Sequence, residues 1–201
     1  MIKEVRNVAN QLICRQNKIG GYAARFNEFS EIMTTKNGEK FKEIILPTAI
    51  TNETIKNSDI FCLLNHNKDK VLARCKFGKG NLKLTINNYG LFYEFEALDD
   101  DLSKHTYELI RNKVIESSSF AFSINPNDKE AQSWRKGDDG IWIRTIKKID
   151  KLYDVSPVYN AAYSTSTCNI RSIVELMQNQ YNDIQIKLQK ILDRAKELSE
   201  K

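Results

Sequence analysis

Only two histidines and three prolines occur in 201 residues, and the four cysteines, Cys14, Cys62, Cys75 and Cys168, stand far apart with no CxxC pair. Zinc sites need cysteines and histidines in close pairs, so neither a metal nor another cofactor has ligands here, and reduced thiols are expected. No stretch approaches the roughly 20 apolar residues of a membrane span. The N-terminus, MIKEVRNVANQL, carries charges throughout and lacks the apolar stretch of a secretory signal. No membrane association is expected, and the location expected is cytoplasmic. Internal repeats, low-complexity tracts and the GxSxG elbow of common serine hydrolases are all missing. The net charge of +5 is mild, and no basic cluster carries the aromatic pattern that reads single-stranded nucleic acid. No specific nucleic-acid partner is expected.

What is present is a chain 41% apolar and 28% charged, long enough for one ordinary core with an appendage. The first two thirds alternate at two-residue steps between glycine and asparagine turns, the pattern of short strands. GGYAARFNEF starts as a strand after Gly20 and Gly21, FKEIILPTAI stops at Pro47, and IFCLLNH is a buried strand ending in a polar turn. VLARCKF, NLKLTINN and GLFYEFEAL read as consecutive antiparallel strands. At DDDLSKHTYELIRNKVIE the period becomes helical, through Leu102, Leu109, Ile110 and Val114, with Asp99 to Asp101 suited to a helix N-terminus. The strand SSFAFSI follows, then the polar loop NPNDKEAQSWRKGDDG, then a strand pair in IWIRTIKKIDKLYDVSPV. From about Asn169, Ile173, Met177, Tyr181, Ile184, Leu188, Ile191, Ala195 and Leu198 recur at steps of three or four. That stripe predicts a helix packed on its own domain, or a partner helix or coiled coil.

Of the histidines, His105 flanks an apolar helix face, whereas His66 falls at the end of a buried strand, where a base is both fixed and reachable. In the strand SSSFAFSI, Ser117, Ser119, Ala121 and Ser123 share one face, and Ser118, Phe120, Phe122 and Ile124 the other. The aromatic face belongs in the core, and the small-residue face leaves room for a substrate chain beside Ser119. The plain alternative is a small-residue strand packed closely on a neighbour. A serine hydroxyl needs a base to take its proton and a third group to orient that base. His66, Ser119 and a later acid make such a set. Asp150, Leu152 and Asp154 share one face of a regular strand, so either aspartate fits the third place. Cys62, in the most apolar part of its strand, is a poor alternative nucleophile.

The order GGYAARFNEFSE, FKEIILPTAI, LLNHNKDKVLARCKFG, NLKLTINNYGLFYEFEAL, VIESSSFAFSI and RTIKKIDKLYDVSPVYNAAYSTST resembles the prohead (capsid maturation) proteases of tailed bacteriophages, over about Gly20 to Thr167. The resemblance implies an α+β, mainly β fold similar to herpesvirus assemblin, an antiparallel β-barrel with surrounding helices. The implied division is a protease domain, 1–168, followed by a C-terminal amphipathic helix, 169–201, for oligomerisation or as a scaffold-like segment. It implies a serine endopeptidase that cleaves the scaffold and major capsid protein, and itself, inside the procapsid, and that acts as a homo-oligomer, a dimer. The family's Asn-His motif falls on His66, and its Ser-Phe-Gly-Phe motif on Ser119. The acidic position before the Val-Ser pair falls on Asp154, with Asp150 behind it. The chain departs from the family at Ala121, where glycine is usual, at Ala161, Ala162 and Tyr163, which lack the usual proline, and in LPTAI. A catalytically inactive capsid-assembly or scaffold protein of the same fold is the alternative reading, and a basic nucleic-acid-binding module is a third.

Overall fold

Two-residue alternation of apolar and polar side chains turns most of the chain into strands. The structure is a computed structural model and describes residues 3–9, 12–35, 38–159, 188–191 and 193–194. In chain order the strands are β1 (Glu4–Val8), β2 (Leu12–Arg15), β3 (Lys18–Arg25), β4 (Met33–Thr34), β5 (Lys40–Ile45), β6 (Asp59–Leu63), β7 (Val71–Lys76), β8 (Lys79–Gly80), β9 (Lys83–Asn87), β10 (Gly90–Glu96), β11 (Ser117–Ser123), β12 (Gln132–Lys136), β13 (Trp142–Ile146) and β14 (Lys151–Val158). Among residues 3–159, two helices, α1 (Asn52–Lys56) and α2 (Asp101–Arg111), and a 3-10 turn, Leu64–His66, complete the list of elements. The Asp100 side chain caps α2 by accepting from the Ser103 N–H at 2.7 Å. The helix ends sooner than its periodicity suggests, at Arg111, because Lys113 takes a left-handed φ of 58° and Val114 turns outward.

The strands pair as three sheets, in the orders β1-β11-β14-β6-β7-β8, β2-β3-β10-β9 and β12-β13-β5-β4. The fold is mainly β with few helices, as expected. The herpesvirus-type barrel is not seen: each sheet has two edge strands, and no pairing among the described residues closes them into one barrel. Two pairings, β14 with β6 and β13 with β5, are parallel. A single core cluster takes side chains from all three sheets, among them Phe120, Phe122, Tyr93, Ile19 and Ile146. Each large side chain buried there is worth about 1.5–3 kcal/mol.

Several strands differ from the sequence expectation. The N-terminal twelve residues, read as scattered charge, supply β1. Gly20 lies inside β3 and not before it, and the close approach of β10 explains the glycine, since a Cβ there would meet the Tyr93 carbonyl at 2.7 Å. Part of the expected polar loop is the strand β12, held by the burial of Gln132 and Trp134. β9 and β10 do form a hairpin, but β7 belongs to another sheet. The two halves of IWIRTIKKIDKLYDVSPV, β13 and β14, likewise join different sheets.

β1 is tied to the third sheet by four buried charges. Arg6 grips Glu43 through Nε and Nη2, both at 2.7 Å, and Nη2 also reaches Glu4 at 2.8 Å. Arg144 reaches Glu4 through Nη2 at 2.8 Å and again through Nη1, reaches Glu43 at 2.9 Å, and gives Nε to Gln132 at 2.7 Å. Burial works against the Arg6 charge, but Glu43 and Glu4 outweigh it and raise its pKa. Two cations and two carboxylates satisfy one another, which is the condition under which buried charge is tolerated.

The chain divides into two units, Met1–Thr167 and Cys168–Lys201. In the second, the described residues 188–191, 193 and 194 are helical, with Leu188 and Ile191 exposed. The other stripe residues (Ile173, Met177, Tyr181, Ile184, Ala195 and Leu198), together with Cys168 and Ala161 to Tyr163, lie outside the described residues. No described helix is long and apolar enough to cross a membrane.

Candidate active site

Three adjacent strands of the first sheet, β11, β14 and β6, bring Ser119, Asp154 and His66 to one place. His66 follows β6 on the 3-10 turn, where Asn65 and His66 take consecutive left-handed φ values of 54° and 56°. Asparagine and histidine are both enriched in that conformation among non-glycine residues, so the turn suits the two side chains it carries. The turn is closed by the Leu64 N–H to the Lys70 carbonyl at 3.0 Å and by the Asn67 N–H to the Leu64 carbonyl at 3.1 Å.

Asp154 reaches the same place by an irregularity. In the β11·β14 ladder Ala121 faces Asp154 and Phe122 faces Leu152, so Tyr153 is an extra, bulged residue. Directly opposed residues point to the same side of a sheet. Leu152 therefore joins Phe122 in the core, while Asp154 joins Ala121 and Ser119 on the other face. The expectation that Asp150, Leu152 and Asp154 share a face fails for this reason, since a bulge re-aims every side chain beyond it. Asp150 lies in the bend before β14, its N–H on the Ser123 carbonyl at 2.9 Å, and its buried Oδ2 has no hydrogen-bond partner among the described residues.

The geometry is a continuous relay. His66 Nδ1 lies 2.5 Å from Asp154 Oδ1, and His66 Nε2 lies 2.6 Å from Ser119 Oγ. With Asp154 ionised, Nδ1 carries a proton and donates it to the carboxylate, which turns the lone pair of the neutral ring toward Ser119. Asp154 Oδ1 also accepts from the Ser156 hydroxyl at 2.9 Å, and Oδ2 accepts from Lys3 Nζ at 2.7 Å. Burial pushes the Asp154 pKa upward, but the hydrogen bond and charge of His66, then those of Lys3, outweigh it and leave the pKa lowered. A carboxylate held ionised beside an imidazole can fix its tautomer and stabilise its protonated form.

Ser119 Oγ has a second neighbour, the Arg6 carbonyl oxygen on β1 at 2.9 Å. One hydroxyl proton thus has two acceptors in reach. Contrary to the expectation of an open small-residue face, all of β11 is buried, and Ser119 is 0% exposed. β1 lies directly beside it, with Asn7 opposite Ser119. The His66 side chain, 23% exposed, is the accessible member. The Ala121 methyl group is enclosed between Val5 and Asp154.

The other serines of the run have different surroundings. Ser118 points to the opposite face, where its hydroxyl lies 2.8 Å from the Tyr93 hydroxyl, and Ser117 sits at the strand end opposite Val158. Burial, then the Asp154 charge, raises the Cys62 thiol pKa well above its ordinary value, so Cys62 is no competing thiolate. His105 is exposed on α2, away from any of these groups. A cleft of about 290 Å³ opens on the Phe120 face of β11, between Arg6, Val8, Phe29 and Glu43, and the relay residues do not line it. Among the described residues, no cluster of histidine, cysteine and acidic side chains could hold a metal.

Sequence reasoning missed Ser156, Lys3 and the Arg6 carbonyl. Ser156 was legible as the residue two beyond Asp154 on one strand face. Lys3 had no local signal, being 151 residues from its partner.

No curated protein sequence matches this chain. A solved structure, that of the bacteriophage T4 capsid assembly protease gp21, is similar over 79% of this chain and 98% of that one, at 10% identity and a TM-score of 0.44. The family model described as caudovirus prohead serine protease matches residues 4–180, which includes β1 and every residue of the relay. The chain belongs to the prohead serine proteases of tailed bacteriophages, the enzymes of capsid maturation.

Proposed function

We propose that this protease cleaves the scaffold and the major capsid protein within the assembling procapsid in the host cytoplasm, and cleaves itself, through an acyl-enzyme on Ser119. Ser119 attacks the scissile carbonyl as His66 Nε2 takes its proton, and Asp154 holds the histidine tautomer and stabilises the imidazolium. The same imidazolium then protonates the leaving amine, and water, activated by His66, releases the acyl group. No metal or organic cofactor enters these steps. The observation that carries the reading is the relay of 2.5 and 2.6 Å contacts from Asp154 through His66 to Ser119. Two copies act together, joined by the apolar stripe of the C-terminal segment.

The test is co-expression with the capsid and scaffold proteins encoded beside this chain, comparing wild type with Ser119→Ala by intact mass. The wild type is expected to trim its partners and the variant to leave them whole. Uncut products from both, under conditions that assemble procapsids, would replace this reading with a non-catalytic assembly role. Cutting by both would place the nucleophile elsewhere.

A further inference from the structure

The N-terminal strand presents two faces to two different environments. Glu4 and Arg6 lie opposite Phe122 and Phe120, on the face where they join Glu43 and Arg144 in the buried charge cluster. The odd-numbered residues Val5 and Asn7 lie opposite Ala121 and Ser119, on the face that carries the relay. Lys3 continues that odd-numbered face, and its Nζ reaches Asp154 Oδ2 at 2.7 Å while lying 5.7 Å from the centre of the Tyr153 ring. The charge cluster thus fixes one side of the strand, and the other side delivers a cation to the acid of the relay.

We infer that Lys3 is a positioning residue of the proteolytic site, setting the orientation of Asp154 and, through it, the basicity of His66. The inference rests on the Ser119, His66 and Asp154 reading above. Asp154 has two oxygens, and each has an assigned partner: Oδ1 takes His66 and Ser156, and Oδ2 takes Lys3. With Oδ2 pinned, the carboxylate cannot rotate away from Nδ1. The ammonium also offsets part of the field that Asp154 exerts on the imidazole. Without it, Asp154 would stabilise the imidazolium more strongly, the form of His66 that cannot take the Ser119 proton.

The neighbours of this pair are few among the described residues. From the N-terminal segment comes the Lys3 ammonium, from β6 the un-ionised Cys62 thiol, and from β14 and β11 the neutral hydroxyls of Ser156 and Ser119. The Arg6 carbonyl acts in the opposite sense to Lys3. It accepts the Ser119 proton most naturally when Nε2 is itself protonated and donating to Oγ, so it favours the imidazolium. Lys3 counters that bias.

The experiment is the pH profile of kcat/KM, on a peptide spanning a mapped cleavage site, for the full-length wild type, Lys3→Met, Lys3→Arg and Ser119→Ala. Lys3→Met is expected to move the acidic limb upward by about half a unit to one unit, the effect of removing a partly solvated charge several ångströms from the ring. On the acidic side this is a loss of up to about tenfold in rate. Lys3→Arg, which keeps the charge, is expected to return the limb close to its wild-type position. A Lys3→Met enzyme that is slower at every pH with its limb unmoved would overturn the inference, because a merely structural contact lowers rate without retuning His66. If Ser119→Ala retains activity, the underlying nucleophile assignment fails instead, and the two failures are thereby told apart.

Discussion

The Tyr93 hydroxyl meets the Ser118 hydroxyl 2.8 Å apart inside the core, on the face of β11 opposite the one that carries Ser119. Two adjacent serines therefore have unlike tasks, one satisfying a buried phenol and the other touching His66. Burial raises the Tyr93 pKa well above its ordinary value, and the Ser118 bond lowers it only in part, so the phenol stays protonated.

Alanine at each serine should separate these tasks. Ser119→Ala is expected to lower proteolysis by on the order of 10⁴-fold or more, with little loss of stability. Ser118→Ala is expected to leave the reaction largely intact but to destabilise the fold by about 1–3 kcal/mol, since the Tyr93 hydroxyl loses a buried partner. Urea unfolding and a cleavage assay on both variants check this. Equal loss of activity in the two would contradict it.

Asp154 makes stability depend on pH with a definite sign. Its folded pKa lies below its ordinary value, so ionised Asp154 contributes stability above the ordinary carboxylate range, and that contribution disappears as pH falls through the lowered pKa. The wild type should exceed Asp154→Asn in unfolding free energy at pH 7, and the gap should narrow toward pH 3. A gap that stays constant across that range would show that the carboxylate's charge is not what the fold uses. The same variant should lose on the order of 10⁴-fold in activity, because the amide no longer holds the required histidine tautomer.

The charge cluster under β1 gives a third expectation. Glu43→Gln leaves Arg6 and Arg144 short of a carboxylate they both touch, and removing one partner of a buried ionic group costs about 3–5 kcal/mol. Denaturant titration should show that loss. Because β1 also carries the Arg6 carbonyl and follows Lys3, activity in the surviving folded fraction should fall as well. An exposed pair such as Lys104 and Asp99 should by contrast be replaceable at almost no cost.

The left-handed turn before His66 is testable at Asn65, whose φ and ψ are 54° and 40°. Asn65→Gly should be close to neutral, since glycine accepts that conformation. Asn65→Val should cost about 1–2 kcal/mol and misdirect the ring, lowering kcat more than it raises KM. Equal kinetics for the two variants would mean that this backbone shape does not aim His66.

What could be read from the chain follows from how local each cause is. The end of the strand at Leu63 and the alternation in SSSFAFSI are local patterns, and they put His66 and Ser119 where β6 and β11 have them. The bulge at Tyr153 leaves no periodic trace, so the sequence could not tell that Asp154 and Leu152 face apart. β12 was hidden because its one large apolar anchor, Trp134, stands among the polar residues Gln132, Ser133, Arg135 and Lys136. Glu4 and Arg6 looked like surface charge because their partners stand 37 and 140 residues away. Long-range pairing also explains why the third sheet's parallel contact between β13 and β5 went unseen.

The apolar stripe at the end of the chain leads to the last expectation. Leu188 and Ile191 are 48% and 65% exposed on a helical segment, and Gln189 Nε2 bonds Asp193 Oδ1 at 2.9 Å along its polar side. Leaving two large aliphatic side chains in water forgoes about 1.5–3 kcal/mol each, which a second helix of the same kind would recover. Spacing at three and four residues across Ile184, Leu188 and Ile191 suits a helix pair more than a globular surface. A chain ended near Thr167 should therefore sediment as a monomer while the full chain sediments as a dimer. An identical mass for both would remove the stripe from the interface and leave the protease unit itself to account for any association.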